Sequence, residues 1–172
     1  SDPQWSPDGT RITYTTRPTP KADDGSLSDV WIMTVTNGDK KKLEGDAGSS
    51  DTARWSPDGK WIAYTGSPDA NGGVSTTYLY LIAANGGAPK QLTTKFDLPV
   101  GTPVWARDGR AIYFSTNVLE SIEVYSCDVA SGEVKQLSRR GGSTGITEIS
   151  RDGKALVGTS SSAKQPTELY AS

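Results

Sequence analysis

Four copies of one phrase set the frame for this chain. Trp5-Ser6-Pro7-Asp8-Gly9 recurs as Trp55-Ser56-Pro57-Asp58-Gly59, as Trp105-Ala106-Arg107-Asp108-Gly109 and as Ile149-Ser150-Arg151-Asp152-Gly153. In each copy an apolar residue leads into a four-residue turn and a second apolar run follows, which describes two short strands joined by a hairpin. Proline at the second turn position presets φ and aspartate tolerates the third. Glycine accepts the left-handed conformation that closes a three-residue hairpin loop with a bulge. Asp8, Gly9, Asp58, Gly59, Asp108, Gly109, Asp152 and Gly153 are therefore assigned to turns.

The turn aspartate returns after 50, 50 and 44 residues. A period of this size with several strands per unit predicts a propeller or a related array. In the first unit strand a runs into Trp5, strand b covers residues 11–15 and strand c residues 30–35. A hairpin at Asn37-Gly38 leads to strand d, which ends at Leu43. The second unit repeats the order with strands at 61–64 and 78–82, a turn at Asn85-Gly86-Gly87 and an end at Leu92. The third has strands at 111–114 and 123–125, a turn at Ser131-Gly132 and an end at Leu137; the fourth has strands at 155–157 and 168–170 and no strand d. The expected fold is all-β: a single partial β-propeller domain of about four four-stranded antiparallel blades, the last lacking its outer strand. The blades fall near residues 1–46, 47–95, 96–140 and 141–172.

Strand c carries apolar residues on both faces, Val30 and Ile32 on one and Trp31 and Met33 on the other. A sheet open to water on one side alternates apolar with polar, so these sheets are covered on both sides, as stacked blades are. Trp5, Trp55 and Trp105, at one position of the repeat, are expected to pack between blades rather than to form a stacking platform. In a meander the a–b and c–d turns fall on one face, and the b–c loops and inter-blade links fall on the other. That second face carries the long segments 17–28, 45–50, 67–76 and 94–101, and binding residues concentrate on such loops.

Composition narrows the chemistry. The 172 residues suit one domain, and 14 aromatics with 19 Gly and 10 Pro favour short strands over helices. A net charge of −2 gives no footprint for nucleic acid or an anionic membrane, and no apolar stretch is long enough to span a bilayer. No export signal opens the sequence, which reads as an excised piece, and the compartment stays open between cytoplasm and periplasm. Cys127 is the single cysteine, so an internal disulfide is excluded, and its apolar neighbours predict a packed thiol. The chain contains no histidine, which removes a Ser-His-Asp triad and most zinc sites. No phosphate-binding glycine loop is present. Asp23, Asp24 and Asp29 lack the spacing of a cation site and read as a solvated loop. No catalytic, cofactor-binding or metal-binding residue is therefore expected.

The four units together resemble the Trp-Ser-Pro-Asp-Gly propeller repeats of two groups: the non-catalytic propeller of prolyl oligopeptidase-family serine peptidases, especially acylaminoacyl and dipeptidyl peptidases, and the periplasmic Tol-Pal propeller. The long segment around Thr19-Pro20-Lys21-Ala22-Asp23-Asp24-Gly25 and the ending Gln165-Pro166-Thr167-Glu168-Leu169-Tyr170 look like the last blades of the peptidases. That resemblance implies a gating role: the propeller admits peptide substrates to an α/β-hydrolase domain, and the chain itself is inactive. The runner-up it implies is a Tol-Pal-type propeller that docks a protein partner. With strand d of the fourth unit absent, the open sheet edges are expected to bring two copies together as a homodimer.

Overall fold

The computed structural model describes residues 2–17, 28–43, 48–68, 76–138 and 142–171. All regular structure among them is strand. The first sheet is antiparallel, in the order β1 (Gln4–Trp5), β2 (Arg11–Thr16), β3 (Asp29–Thr34) and β4 (Lys40–Lys42). The second repeats it with β5 (Ser49–Trp55), β6 (Trp61–Ser67), β7 (Tyr78–Ala83) and β8 (Lys90–Gln91). The third unit contributes β9 (Val104–Trp105), β10 (Ala111–Val118), β11 (Ser121–Asp128) and β12 (Val134–Gln136). The fourth contributes β13 (Ser143–Ile149), β14 (Leu156–Ser162) and β15 (Gln165–Ala171).

The last two units form one seven-stranded sheet, joined by a single parallel pair, Ile122 with Ser143. The earlier units touch at the same place through one backbone hydrogen bond each. Ser50 N–H donates to the Ser28 carbonyl at 2.7 Å, and Val100 N–H to the Thr77 carbonyl at 2.9 Å. The seven strands are thus a full four-stranded unit and a three-stranded unit held by the bridge that recurs along the chain. The whole is a segment of a β-propeller.

Register repeats as faithfully as topology. Thr15 stands opposite Val30, Thr65 opposite Leu79, Ser115 opposite Val124 and Thr159 opposite Leu169, a strand-b hydroxyl facing a strand-c aliphatic in every unit. Successive residues of a strand point to opposite faces, so a strand between two neighbours feeds two cores. In β6, Ile62 joins a cluster with Val30, Ile32, Leu43 and Trp55, while Ala63 joins a second with Leu79, Leu92, Trp105 and Phe114. Aromatic rings add direction to this packing: Tyr64 stacks on Tyr80 at 5.3 Å between centroids, and Phe114 on Tyr125 at 5.9 Å.

Two expectations change. The a–b loop holds four residues rather than three: Ser6 N–H donates to the Arg11 carbonyl at 2.8 Å, and Ala106 N–H to the Ala111 carbonyl at 2.9 Å. Ser6 and Arg11 therefore close the hairpin around residues 7–10. Trp5 does not pack between units: it is 60% exposed, whereas Trp55 and Trp105 are each 7% exposed. Trp55 and Trp105 lie against the unit before them, and no described residue occupies that position for Trp5.

Candidate interaction face

The turn face is built from short-range hydrogen bonds that the repeated residues supply themselves. Ser6 Oγ donates to Asp8 Oδ1 at 2.6 Å, and the same oxygen of Asp8 accepts the amide and hydroxyl of Thr10 at 3.0 and 2.8 Å. These bonds hold the Asp8 carboxyl down at about 2, the Ser6 hydroxyl being the largest cause. Ser56 with Asp58 and Ser150 with Asp152 repeat the contact at 2.6 Å, and both carboxyls are likewise lowered, first by the serine hydroxyl. The third turn has Ala106 in place of serine, and Asp108 Oδ1 there accepts the Arg110 amide at 3.0 Å. The left-handed glycines have φ of 70°, 69°, 71° and 73° at Gly9, Gly59, Gly109 and Gly153. Each c–d turn is stitched to its a–b turn as well: Val35, Ala84 and Val129 donate N–H to the carbonyls of Thr10, Lys60 and Arg110 at 2.9, 2.8 and 2.9 Å.

Ties between units run through the same face. The Trp55 indole donates to the Gln4 carbonyl at 3.3 Å, and the Arg11 guanidinium lies 4.6 Å from the centre of the Trp55 ring. Trp105 donates to the Arg54 carbonyl at 3.0 Å. In the fourth unit Ile149 has no donor to offer. Arg107, standing where the first two units have proline, reaches the carbonyls of Ser150 and Ile149 at 3.3 Å each. The sequence reading missed Arg107, because an arginine in an exposed turn carries no signal of what it will reach.

On the opposite face the third unit departs from its neighbours. β10 and β11 run on together as an eight-residue hairpin, paired from Ala111 with Asp128 to Val118 with Ser121, and turn at Leu119 and Glu120. Leu119 is fully exposed and holds φ at 55°, a left-handed conformation that disfavours a leucine. Beside the tip lies a cavity of about 760 Å³, lined by Val118 to Ser121 on one side and by Gly142, Ser143 and Ser161 to Ala163 on the other. A second hollow of about 330 Å³ flanks the hairpin across Pro99, Gly101 and Asn117. Nothing in the sequence singled out this hairpin, since its turn lacks the Gly or Asn that marks a left-handed position.

Of the long segments expected on this face, 94–101 is packed rather than free. Phe96 meets Phe114 and Tyr125 edge-on at 5.5 and 5.1 Å, and Val100 is buried. Most of 17–28 and 67–76, with Asp23 and Asp24, lies outside the described residues. Asp29 forms an ion pair with Lys42 at 2.7 Å. Among the described residues no group of three metal-ligating side chains comes together. Each turn carboxylate is held by its own turn, and the turns are spread along the face, so they do not converge as an acid and base. Cys127 is buried, and burial pushes its thiol up to about 11. The cavity beside the hairpin offers serine hydroxyls, small side chains and the Glu120 carboxylate, groups that can grip an extended chain by hydrogen bonds.

A family profile described as "TolB beta propeller domain" matches residues 1–169. The chain is 28% identical to the "Uncharacterized peptidase YuxL" of Bacillus subtilis (strain 168) over 214 residues, covering 99% of this chain and 31% of that relative. It therefore spans less than two thirds of the curated relative's length. Among solved structures, TolB from Acinetobacter baumannii superposes with a TM-score of 0.72 at 21% identity, over 99% of this chain and 40% of that one. The acylaminoacyl peptidase of Pyrococcus horikoshii superposes equally, with a TM-score of 0.72 at 21% identity, over 99% of this chain and 25% of the peptidase. At such identities the likeness is one of fold.

Proposed function

The chain belongs to the TolB beta propeller domain family, and we propose that it is the non-catalytic propeller portion of a prolyl oligopeptidase-like serine peptidase of the acylaminoacyl or dipeptidyl type. In this reading it screens peptides on their way to a separate α/β-hydrolase domain. The observation that carries the reading is the alignment of 99% of the chain with 31% of a protein named as a peptidase. The absence of histidine from the 172 residues supports it, since a Ser-His-Asp triad would have to be completed elsewhere. The exposed β10–β11 hairpin and the serine-lined cavity beside it are the surface we assign to contact with peptide or hydrolase domain.

The coding sequence after Ser172 tests this directly. A hydrolase domain with a Gly-x-Ser-x-Gly elbow is the expected result, and a stop codon there would sink the peptidase reading. In the full-length protein, shortening the 117–121 hairpin is expected to raise hydrolysis of long peptides relative to short ones. A second reading, a Tol-Pal-type propeller that docks a protein partner, is favoured by the equal superposition on the Acinetobacter TolB. It predicts no hydrolase domain and capture of a folded partner.

A further inference from the structure

Successive a–b turns meet at three junctions along the turn face, and the residue at the second turn position closes two of them. A Cβ built on Gly59 would lie 3.6 Å from Pro7 Cδ, and one on Gly153 would lie 3.2 Å from Arg107 Cβ. Pro57 stands in the same place before Gly109, yet among the described residues no atom beyond the glycine's own sequence neighbours comes within 4 Å of a Cβ there. The second and third turns are held apart. Between them opens a cleft of about 360 Å³ lined by Pro57, Asp58, Trp61, Trp105, Asp108 and Val129. Both walls belong to internal units, so the cleft does not depend on where the sequence begins or stops.

Each closed junction also holds a guanidinium. At the first, Arg11 lies 4.6 Å from the centre of the Trp55 ring and donates to the Ala84 carbonyl at 3.2 Å. At the third, Arg107 donates to the carbonyls of Ser150 and Ile149 at 3.3 Å each. The open junction keeps the corresponding surroundings without the cation. Trp61 takes the place of Arg11: it stands opposite Ala83 as Arg11 stands opposite Thr34, in each case the residue just before the one that ties the c–d turn to the a–b turn. Trp105 corresponds to Trp55, and Val129 to Ala84. Trp61 is 42% exposed. Asp58 Oδ1 accepts from Ser56 and from the Lys60 amide, while Oδ2 faces the exposed Lys60 ammonium at 3.7 Å. Arg107 also lines the cleft, but its donors are directed to the next junction.

We propose that the cleft between the second and third units is a binding site for an arginine side chain of another polypeptide. The guanidinium lies on the Trp61 ring, donates to the Val129 carbonyl and pairs with the carboxylates of Asp58 and Asp108. The partner thus brings the group that Arg11 and Arg107 supply from within at the neighbouring junctions. A planar guanidinium can stack on the ring and donate in its own plane at once, which a lysine ammonium cannot. The site lies on the turn face, away from the β10–β11 hairpin, and the inference does not depend on the peptidase reading.

The test uses the protein at its natural length, labelled with 5-fluorotryptophan, and a capped Gly-Arg-Gly peptide. A saturable shift of the Trp61 fluorine signal, assigned by its loss in Trp61→Phe, is expected at millimolar peptide. The same peptide with citrulline, which keeps the shape and lacks the charge, is expected to bind about fivefold more weakly. Trp61→Arg places the missing group in the cleft. It is expected to abolish binding, read from the Trp105 signal, and to raise the urea midpoint. No shift at Trp61, an equal response to the citrulline peptide, or binding that survives Trp61→Arg would each overturn the proposal; the first covers the case in which a residue of the same polypeptide already fills the cleft. A hydrolase domain found downstream would leave this result unaffected.

Discussion

Trp105 donates its indole N–H to the carbonyl of Arg54, the residue just before Trp55, and Trp55 does the same to Gln4, just before Trp5. Each tryptophan thus clasps the backbone of the unit before it at the equivalent residue. The repeat is a chain of such clasps, and Trp5 makes none among the described residues.

Replacing Trp105 with phenylalanine keeps an aromatic ring in place and removes the pyrrole half of the indole with its donor. Loss of the bond leaves the Arg54 carbonyl short of a partner, at a cost of about 1–3 kcal/mol in denaturant unfolding. Trp5→Phe is expected to change stability by no more than about 0.5 kcal/mol, as at other exposed sites. Equal effects at the two positions would refute the clasp.

The third turn lacks the serine that the other three share. Ala106 is buried, as Ser6 and Ser56 are, so a hydroxyl fits its surroundings by precedent. Ala106→Ser is expected to stabilise the chain by about 1 kcal/mol through a new bond to Asp108, read from the urea midpoint.

Asp8 sets an acid limit. Its folded carboxyl titrates at about 2 instead of the ordinary 3.8, so between these values the unfolded chain binds more protons and stability rises with pH. The contribution is complete above the ordinary value and disappears as pH falls through about 2. Asp8→Asn should flatten the melting profile over that interval, and an unchanged acid limb would show that the turn bonds do not hold in solution.

Leu119 holds a left-handed conformation at full exposure, a state that costs an L-residue about 1–2 kcal/mol and that glycine adopts freely. Leu119→Gly is therefore expected to stabilise the isolated chain by about 0.5–1 kcal/mol after glycine's own entropy is counted. In a full-length peptidase the same change should lower peptide turnover. Stabilisation with turnover intact would remove the hairpin tip from the functional face.

Cys127 should resist alkylation at neutral pH. Its thiol is buried and raised to about 11, chiefly by desolvation. Iodoacetamide is expected to modify it at a rate set by unfolding, and fast labelling of the native chain would contradict the packing.

Much of this architecture could be read from the residues. The four turns, the Asn37-Gly38 hairpin and the doubly apolar strands carry local signals, because turn geometry and side-chain alternation depend on neighbours in sequence. What lay hidden depends on neighbours in space. Trp5 and Trp105 occupy the same repeat position, and only their surroundings in space separate their burial. Arg107 looks like a tolerated departure from proline until Ile149 fails to supply a donor. The β10–β11 hairpin turns without Gly or Asn, so a rule keyed to turn composition passes over it.

The bridges from Ser28 to Ser50, Thr77 to Val100 and Ile122 to Ser143 each join a unit only to the one that follows. Cooperativity in such an array is a nearest-neighbour property, with every unit contributing its own free energy and one coupling term. The described units are therefore coupled in series, and the coupling is what a change in their number must preserve. A duplicated unit that preserves the bridge and the indole clasp can be spliced in without redesigning the rest.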